Sequence, residues 1–346
     1  MMPERYFMID EIIRKSLCGA LLTREEITAL FKTPLFSGES ALIQSASRRK
    51  SSKACGGKAE VHAQVGVNAA PCPCHCAFCS FAAQHKLFPE YEEFPVEDIV
   101  ARAVQFEKDG ANAVYLMGTA QYPIKQLIET GLEVRRALNA DTPLIANTGD
   151  FTMEQGKQLR EAGFAGIYHA VRLGEGRDTA IPVERRLNTF RVARESGLLL
   201  GTCVEPVGNE HTIEELTEKT LITRQARPVY SGSARRIPIP GTVLADHGIT
   251  SEARMAHILA VVRLALDDEV PGNCTHEPNS LGTTAGANLL WAESGSNPRD
   301  IERDTEGARG MTVQQCRQIL KEGEWDILDG PSLFYSHRKI AKEQVR

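Results

Sequence analysis

The sequence alternates between two hydrophobic periods over most of its length, and this limits the chain to few architectures. Helical spacing runs through residues 96–109, 124–138, 153–161, 184–196 and 252–266. Short β-rich runs follow at 113–117, 142–146, 166–171, 198–204 and 269–275, with another at 228–239. Asp109-Gly110, Ala162-Gly163 and Ser196-Gly197 place glycine between a helix and the next strand, where a left-handed C-cap belongs. Repeated βα units require a parallel sheet with helical crossovers. We therefore expect an α/β fold, a (β/α)8 TIM-type barrel over residues 55–300. An N-terminal helical extension (1–54) and a C-terminal helical extension (301–346) flank it. The alternation of Val61, Ala63, Val65 and Val67 reads as the first barrel strand.

Ahead of the barrel, Ile9, Ile12, Ile13, Leu17 and Leu21 recur at helical spacing. Thr23 with Glu26 forms a capping-box pattern that opens a second helix. Residues 46–57 are rich in Ser, Arg, Lys and Gly and read as a loop. The 346 residues are 25% charged and 42% hydrophobic, as in a soluble globular protein, and the net charge of −5 offers no nucleic-acid face. No apolar run reaches the roughly 18 residues of a membrane span. The start, Met1-Met2-Pro3-Glu4-Arg5, lacks a basic segment followed by an apolar stretch, so no secretory signal is expected. Nine cysteines in such a chain point to metal binding or catalysis rather than disulfides, and to the cytoplasm.

The chemistry concentrates in Ala70-Pro71-Cys72-Pro73-Cys74-His75-Cys76-Ala77-Phe78-Cys79-Ser80-Phe81. Cys72, Cys76 and Cys79 have the spacing C-x3-C-x2-C. Three thiolates on one loop can ligate three irons of a [4Fe–4S] cluster, leaving the fourth iron open to a small molecule. Structural zinc usually takes four ligands, often as two separated pairs, and no second pair stands at such spacing. Cys74 is a rival ligand inside the same loop.

With Phe78 in place, this motif resembles the signature of the radical S-adenosylmethionine (SAM) enzymes. The layout from about residue 10 to about residue 325 resembles their biotin synthase-like branch. The resemblance implies that the open iron chelates SAM and that one electron cleaves it to methionine and a 5′-deoxyadenosyl radical. It implies a reductant such as flavodoxin or ferredoxin and a small-molecule substrate. Met117, Gly118 and Thr119 match a motif that contacts the SAM amino group. Arg172 and Glu175 match an Arg–Glu pair that holds SAM, although their spacing is one residue longer than usual. Asn147, after the third strand, is placed to reach ribose or substrate. Val204 to Thr212, including Val207, resembles the fifth-strand region whose backbone meets adenine. Gly241-Thr242-Val243-Leu244-Ala245-Asp246 resembles a G-T-P-L-A-D stretch with Val243 in place of proline. Ala285-Gly286-Ala287-Asn288 resembles the opening of the last barrel helix.

Biotin synthases hold a second cluster with cysteines on three strands, and the nearest positions here read Leu116, Ala146 and Gly201. Cys203, Cys274 and His276 read first as core thiols and a substrate contact, with a second metal centre as the alternative. Arg235 and Arg236 stand near a strand end, where one can meet a substrate carboxylate. Together with Cys274 and His276 they form the expected catalytic face. Cys18 and Cys316 fall in predicted helices outside the barrel. The expected function is SAM cleavage followed by rearrangement or cofactor maturation of a small polar substrate. The alternatives are sulfur insertion with an atypical second cluster and a non-catalytic Fe–S carrier.

Overall fold

The computed structural model describes residues 4–335, so the end of the expected C-terminal extension lies outside the described residues. Strands β1 (Lys58–Gly66), β2 (Ala113–Met117), β3 (Leu144–Asn147), β4 (Phe164–Tyr168), β5 (Leu199–Gly201), β6 (Tyr230–Arg235), β7 (Gly272–His276) and β8 (Leu289–Gly295) pair in parallel in chain order. β8 returns to β1, with Glu60 opposite Leu289 and Gly66 opposite Gly295, which closes a (β/α)8 TIM-type barrel. Val204–Val207 continues from β5 along β6.

The two-residue period of β1 explains its packing. Ala59, Val61, Ala63 and Val65 point outward into the main apolar core. Glu60, His62 and Gln64 point into the barrel, where His62 lies 5.6 Å from both Tyr115 and Trp291 by ring centroid. Such ring pairs add roughly 0.5–1.5 kcal/mol each beyond area burial. The chain after β8 closes the barrel's lower end. The backbone N–H of Leu333 donates to Glu60 Oε1 at 2.8 Å, and the hydroxyls of Tyr335 and Tyr115 meet at 2.7 Å. With that end plugged, only the C-terminal ends of the strands are left to carry a site.

Three helices precede the barrel: α1 (Glu4–Leu17), α2 (Arg24–Phe31) and α3 (Gly38–Ala54). The capping box at Thr23 is formed as the sequence suggests. The expected loop over 46–57 is instead mostly α3, and Cys55 is its C-cap. The reason is steric. Ser40, Ala46, Ser47 and Ser51 are small and buried, so α3 lies close against the helix that follows β6. Lys50 is buried there, with its Nζ 2.7 Å from the Leu266 carbonyl and 2.9 Å from Ser16 Oγ. Burial, then the neighbouring Arg263, pull its pKa down to about 8.

Helices α4 (Val96–Lys108), α5 (Ile124–Ala137), α6 (Met153–Glu161), α7 (Val183–Glu195), α8 (Ile213–Gln225) and α9 (Glu252–Ala265) cover the barrel. α9 is buried along its whole length from Met255 to Ala265, because α1, α2 and α3 cover its outer side. A short α10 (Ser280–Thr284) follows β7, and α11 (Val313–Glu322) follows β8. Ala285–Asn288 therefore opens a strand, not the last helix. Gly286 turns there at φ 110°, and Asn288 Oδ1 accepts from the Asn273 N–H at 2.7 Å, tying β7 to β8. Cys274 consequently lies on the penultimate strand rather than the last.

Candidate functional site

The cysteine loop sits at the strands' C-terminal mouth and is docked on three neighbouring loops. It closes on itself where Cys72 N–H donates to the Phe81 carbonyl at 2.7 Å. Ala77 N–H donates to Asp178 and Ala180 N–H to the Cys74 carbonyl, both at 2.8 Å, which ties the loop to the chain after β4. Ser80 N–H reaches Pro298 after β8, and Leu244 N–H reaches Ala77. The stretch Gly241–Asp246 therefore braces the cysteine loop from outside.

Cys72, Cys74, Cys76 and Cys79 all line one pocket, with Phe78 among them. Burial, then the neighbouring Cys76, push the Cys79 thiol up to about 12, and burial also raises Cys76. The neighbouring Cys74 thiol holds Cys72 down at about 6, and Cys72 in turn raises Cys74. Among the described residues, no three His, Cys, Asp or Glu side chains converge as a single-ion cage. Three soft sulfur donors on one loop, facing a pocket that also holds a cation, suit an iron–sulfur cluster, whose irons each take a separate thiolate.

Among the cations lining the pocket is Arg172. Its nearest carboxylate is Glu205, with Nε 3.8 Å from Oε1, which is too long for a hydrogen bond. Burial opposes its charge, yet Glu205, Glu175 and Cys76 outweigh burial and raise its pKa. Its guanidinium donors are thus left to the pocket. Met117, Gly118, Thr119 and Asn147 line the same pocket from the ends of β2 and β3. Thr119 is fixed by Asn68, whose Oδ1 accepts the Thr119 N–H at 2.9 Å. Asn147 Nδ2 donates to Gln64 Oε1 at 3.0 Å.

Arg235, Arg236 and His276 also border the pocket, but their surroundings differ. Arg236 is held by Glu210, its Nη2 donating to Oε2 at 2.9 Å, and this pairing overcomes burial to pull Glu210 down to about 2. Arg235 has looser partners, Glu252 and the Thr250 carbonyl, each at 3.5 Å, and its buried Nε has no partner. His276 stacks on Trp291 at 5.7 Å, and Arg299 Nη2 approaches its Nε2 at 3.0 Å. Burial, then Arg299, lower the His276 pKa.

Three expected site residues do not reach the pocket wall. Glu175 has a fully buried side chain that is consumed in its own loop. It accepts from the Arg172 N–H at 2.9 Å and from Thr179 Oγ1 at 2.7 Å, and it pairs with Arg186 at 3.4 Å. The extra residue in the Arg–Glu spacing thus turns Glu175 into a loop brace. Val207 is buried, and its carbonyl accepts the Arg236 N–H at 2.8 Å, so Glu205 and Pro206 face the pocket in its place. Cys274 is fully buried beneath the mouth, 3.0 Å from Cys203 by sulfur. His276 turns instead toward Arg299 and Glu293, so the three do not meet as a metal cage.

Sequence reasoning missed Gln64, Glu205, Asn297 and Arg299, all of which line the pocket. The inward period of β1 marks Gln64, and an acidic residue just past β5 marks Glu205. Asn297 and Arg299 were hidden because β8 was not recognised. Asn297 Nδ2 donates to Glu293 Oε1 at 2.8 Å, and Arg309 pairs with Glu277 at 2.8 Å, so this side of the mouth is a charged lattice around His276.

No protein-family model matches the chain. Its sequence is similar to curated biotin synthases. That of Thermus thermophilus is 27% identical over 206 residues, 56% of this chain and 62% of the relative. That of Rippkaea orientalis is 24% identical over 277 residues, 76% of this chain and 74% of the relative. The chain therefore spans about three-fifths of the first of these relatives. The fold is similar to the FeFe-hydrogenase maturase HydG from Carboxydothermus hydrogenoformans, with TM-score 0.76 at 18% identity, covering 95% of this chain and 81% of that one. It is also similar to methylornithine synthase (PylB), with TM-score 0.73 at 16% identity, covering 94% and 98%. At these identities the structural likeness establishes the fold.

Proposed function

We propose that this chain is a radical SAM enzyme of the biotin synthase-like branch that reductively cleaves SAM and turns the resulting radical on a small polar substrate. One observation carries the reading. The thiols of Cys72, Cys76 and Cys79 and the unengaged guanidinium of Arg172 face one pocket at the open end of a plugged barrel. A [4Fe–4S] cluster bound with SAM would supply the electron transfer and the radical chemistry.

The chain's own residues hold and orient. Cys72, Cys76 and Cys79 would hold the cluster, with Phe78 packed beside it. Arg172 can fork onto the carboxylate of SAM, a geometry that fits its planar donors. Met117, Gly118, Thr119 and Asn147 form the adjoining wall, and Glu205 is the carboxylate nearest Arg172. Arg235, Arg236 and Arg299 on the pocket border favour an anionic group on the substrate. Leu116, Ala146 and Gly201 at the usual second-cluster positions support rearrangement or cofactor maturation over sulfur insertion. A reductant of the flavodoxin or ferredoxin class would supply the electron.

The test is anaerobic reconstitution, an iron count per chain, then SAM and dithionite with assay for 5′-deoxyadenosine. About four irons per chain with 5′-deoxyadenosine formed is the expected result. A fully loaded cluster that neither binds nor cleaves SAM overturns the proposal.

A further inference from the structure

Cys203 and Cys274 form an arrangement that the proposed chemistry does not use. Gly201 pairs with Tyr230 and Val204 with Ser233, so Cys203 approaches β6 between these levels. Cys274 pairs with Gly232 from the other side of β6. Gly232 adopts φ 132°, and a Cβ there would stand 2.0 Å from the Cys274 carbonyl oxygen. The missing side chain lets the backbone of β6 lie directly against that of β7 at Cys274. The sulfurs of Cys203 and Cys274 are 3.0 Å apart. That is closer than the roughly 3.5–4.0 Å at which unbonded heavy atoms settle, and about 1 Å beyond the bonded length near 2.05 Å. Cys203 lines the pocket, whereas Cys274 is fully buried behind it.

We propose that Cys203 and Cys274 are a reversible dithiol–disulfide pair in the inner wall of the pocket, reached by low-molecular-weight disulfides through Cys203. Both cysteines are buried, and the order follows from Cys203 alone lining the pocket. Cys203 Sγ attacks one sulfur of glutathione disulfide, and one glutathione leaves as a thiol carrying the Cys203 proton. Cys274 Sγ then attacks Cys203 Sγ, and the second glutathione leaves with the Cys274 proton. Two protein thiols are oxidised by two electrons while one disulfide is reduced to two thiols. The new bond withdraws the Cys203 sulfur from the pocket wall and ties β7 to the chain after β5. The pair stands on its own geometry, so its failure is read separately from that of the SAM reaction.

The reconstituted protein is equilibrated in glutathione and glutathione disulfide mixtures, quenched in acid, alkylated, digested and weighed by mass spectrometry. Exposed Cys18 serves as the internal control for reagent access. Wild type should give a Cys203–Cys274 linked peptide that disappears on return to glutathione. Cys274→Ser should stall with one glutathione on Cys203, and Cys203→Ser should leave Cys274 unmodified. The proposal is overturned if both cysteines stay alkylatable in wild type while Cys18 carries glutathione. It is also overturned if Cys203 of Cys274→Ser takes no glutathione, or if Cys203 links to a cysteine of the 72–79 loop instead.

Discussion

Replacing Arg172 by lysine separates charge from geometry at the candidate SAM site. The native guanidinium has one ion-pair partner among the described residues, Glu205 at 3.8 Å, and makes no side-chain hydrogen bond to it. Its donors therefore have little protein to fall back on. A hydrogen bond to a charged group contributes a net of about 1.5–3 kcal/mol, and a forked pair contributes more than a single contact. Lysine keeps the positive charge near Glu205 but can offer only a point contact. The expected loss is about 1.5–2 kcal/mol, or roughly 10–30-fold in the dissociation constant of SAM. The assay is anaerobic equilibrium dialysis of SAM against cluster-loaded protein, with iron content and thermal midpoint measured in parallel. Both controls should match wild type, because Arg172 lines the pocket and braces nothing else with its side chain. A SAM dissociation constant within about threefold of wild type, at matched iron content, would refute the assignment of Arg172.

Cys72→Ala, Cys76→Ala and Cys79→Ala should each abolish 5′-deoxyadenosine formation, whereas Cys74→Ala should retain it; activity in Cys76→Ala would remove the cluster assignment. Gly66→Ala should destabilise the barrel by about 3 kcal/mol or more, because the new Cβ would stand 1.9 Å from the Ser296 carbonyl oxygen, a backbone atom that cannot move aside. An unchanged urea midpoint would contradict that. Glu210 titrates near 2 in the folded protein against an ordinary 4.5, so its pairing with Arg236 contributes stability above about pH 4.5 that is lost as pH falls toward 2. After solvent screening this amounts to about 1–2 kcal/mol. Glu210→Gln should forfeit it at neutral pH and show a shallower acid limb in urea unfolding between pH 7 and 3. An acid limb identical to wild type would contradict the pairing.

Local order made much of this protein readable from its residues. Period-two and helical spacing fixed which segments become strands and helices, because an amphipathic segment has one face to bury and the side-chain repeat decides which. Glycine at the ends of α4, α6 and α7 and the capping box of α2 are likewise local devices. The cysteine loop was legible because its ligands lie within a few residues of one another. Where burial depends on a distant partner, the pattern misled. The polar run in α3 looked like a loop because nothing nearby announces that its serines face α9 or that Lys50 is capped by carbonyls around residue 264.

The site divides in the same way. The sequence alone determined the donor types, their spacing and their position at strand ends. Only the closed barrel decided which of them share a pocket. Arg172 and Glu175 stand three residues apart, yet one faces the pocket and the other is spent on its own loop. Arg235 and Arg236 are adjacent, but Glu210 takes the second. Cys203 and Cys274 are 71 positions apart and meet at 3.0 Å only because the sheet brings their strands to either side of β6. Residue type and spacing follow the chain, whereas convergence follows the closure of the sheet, in which each strand's partners come from elsewhere in the sequence.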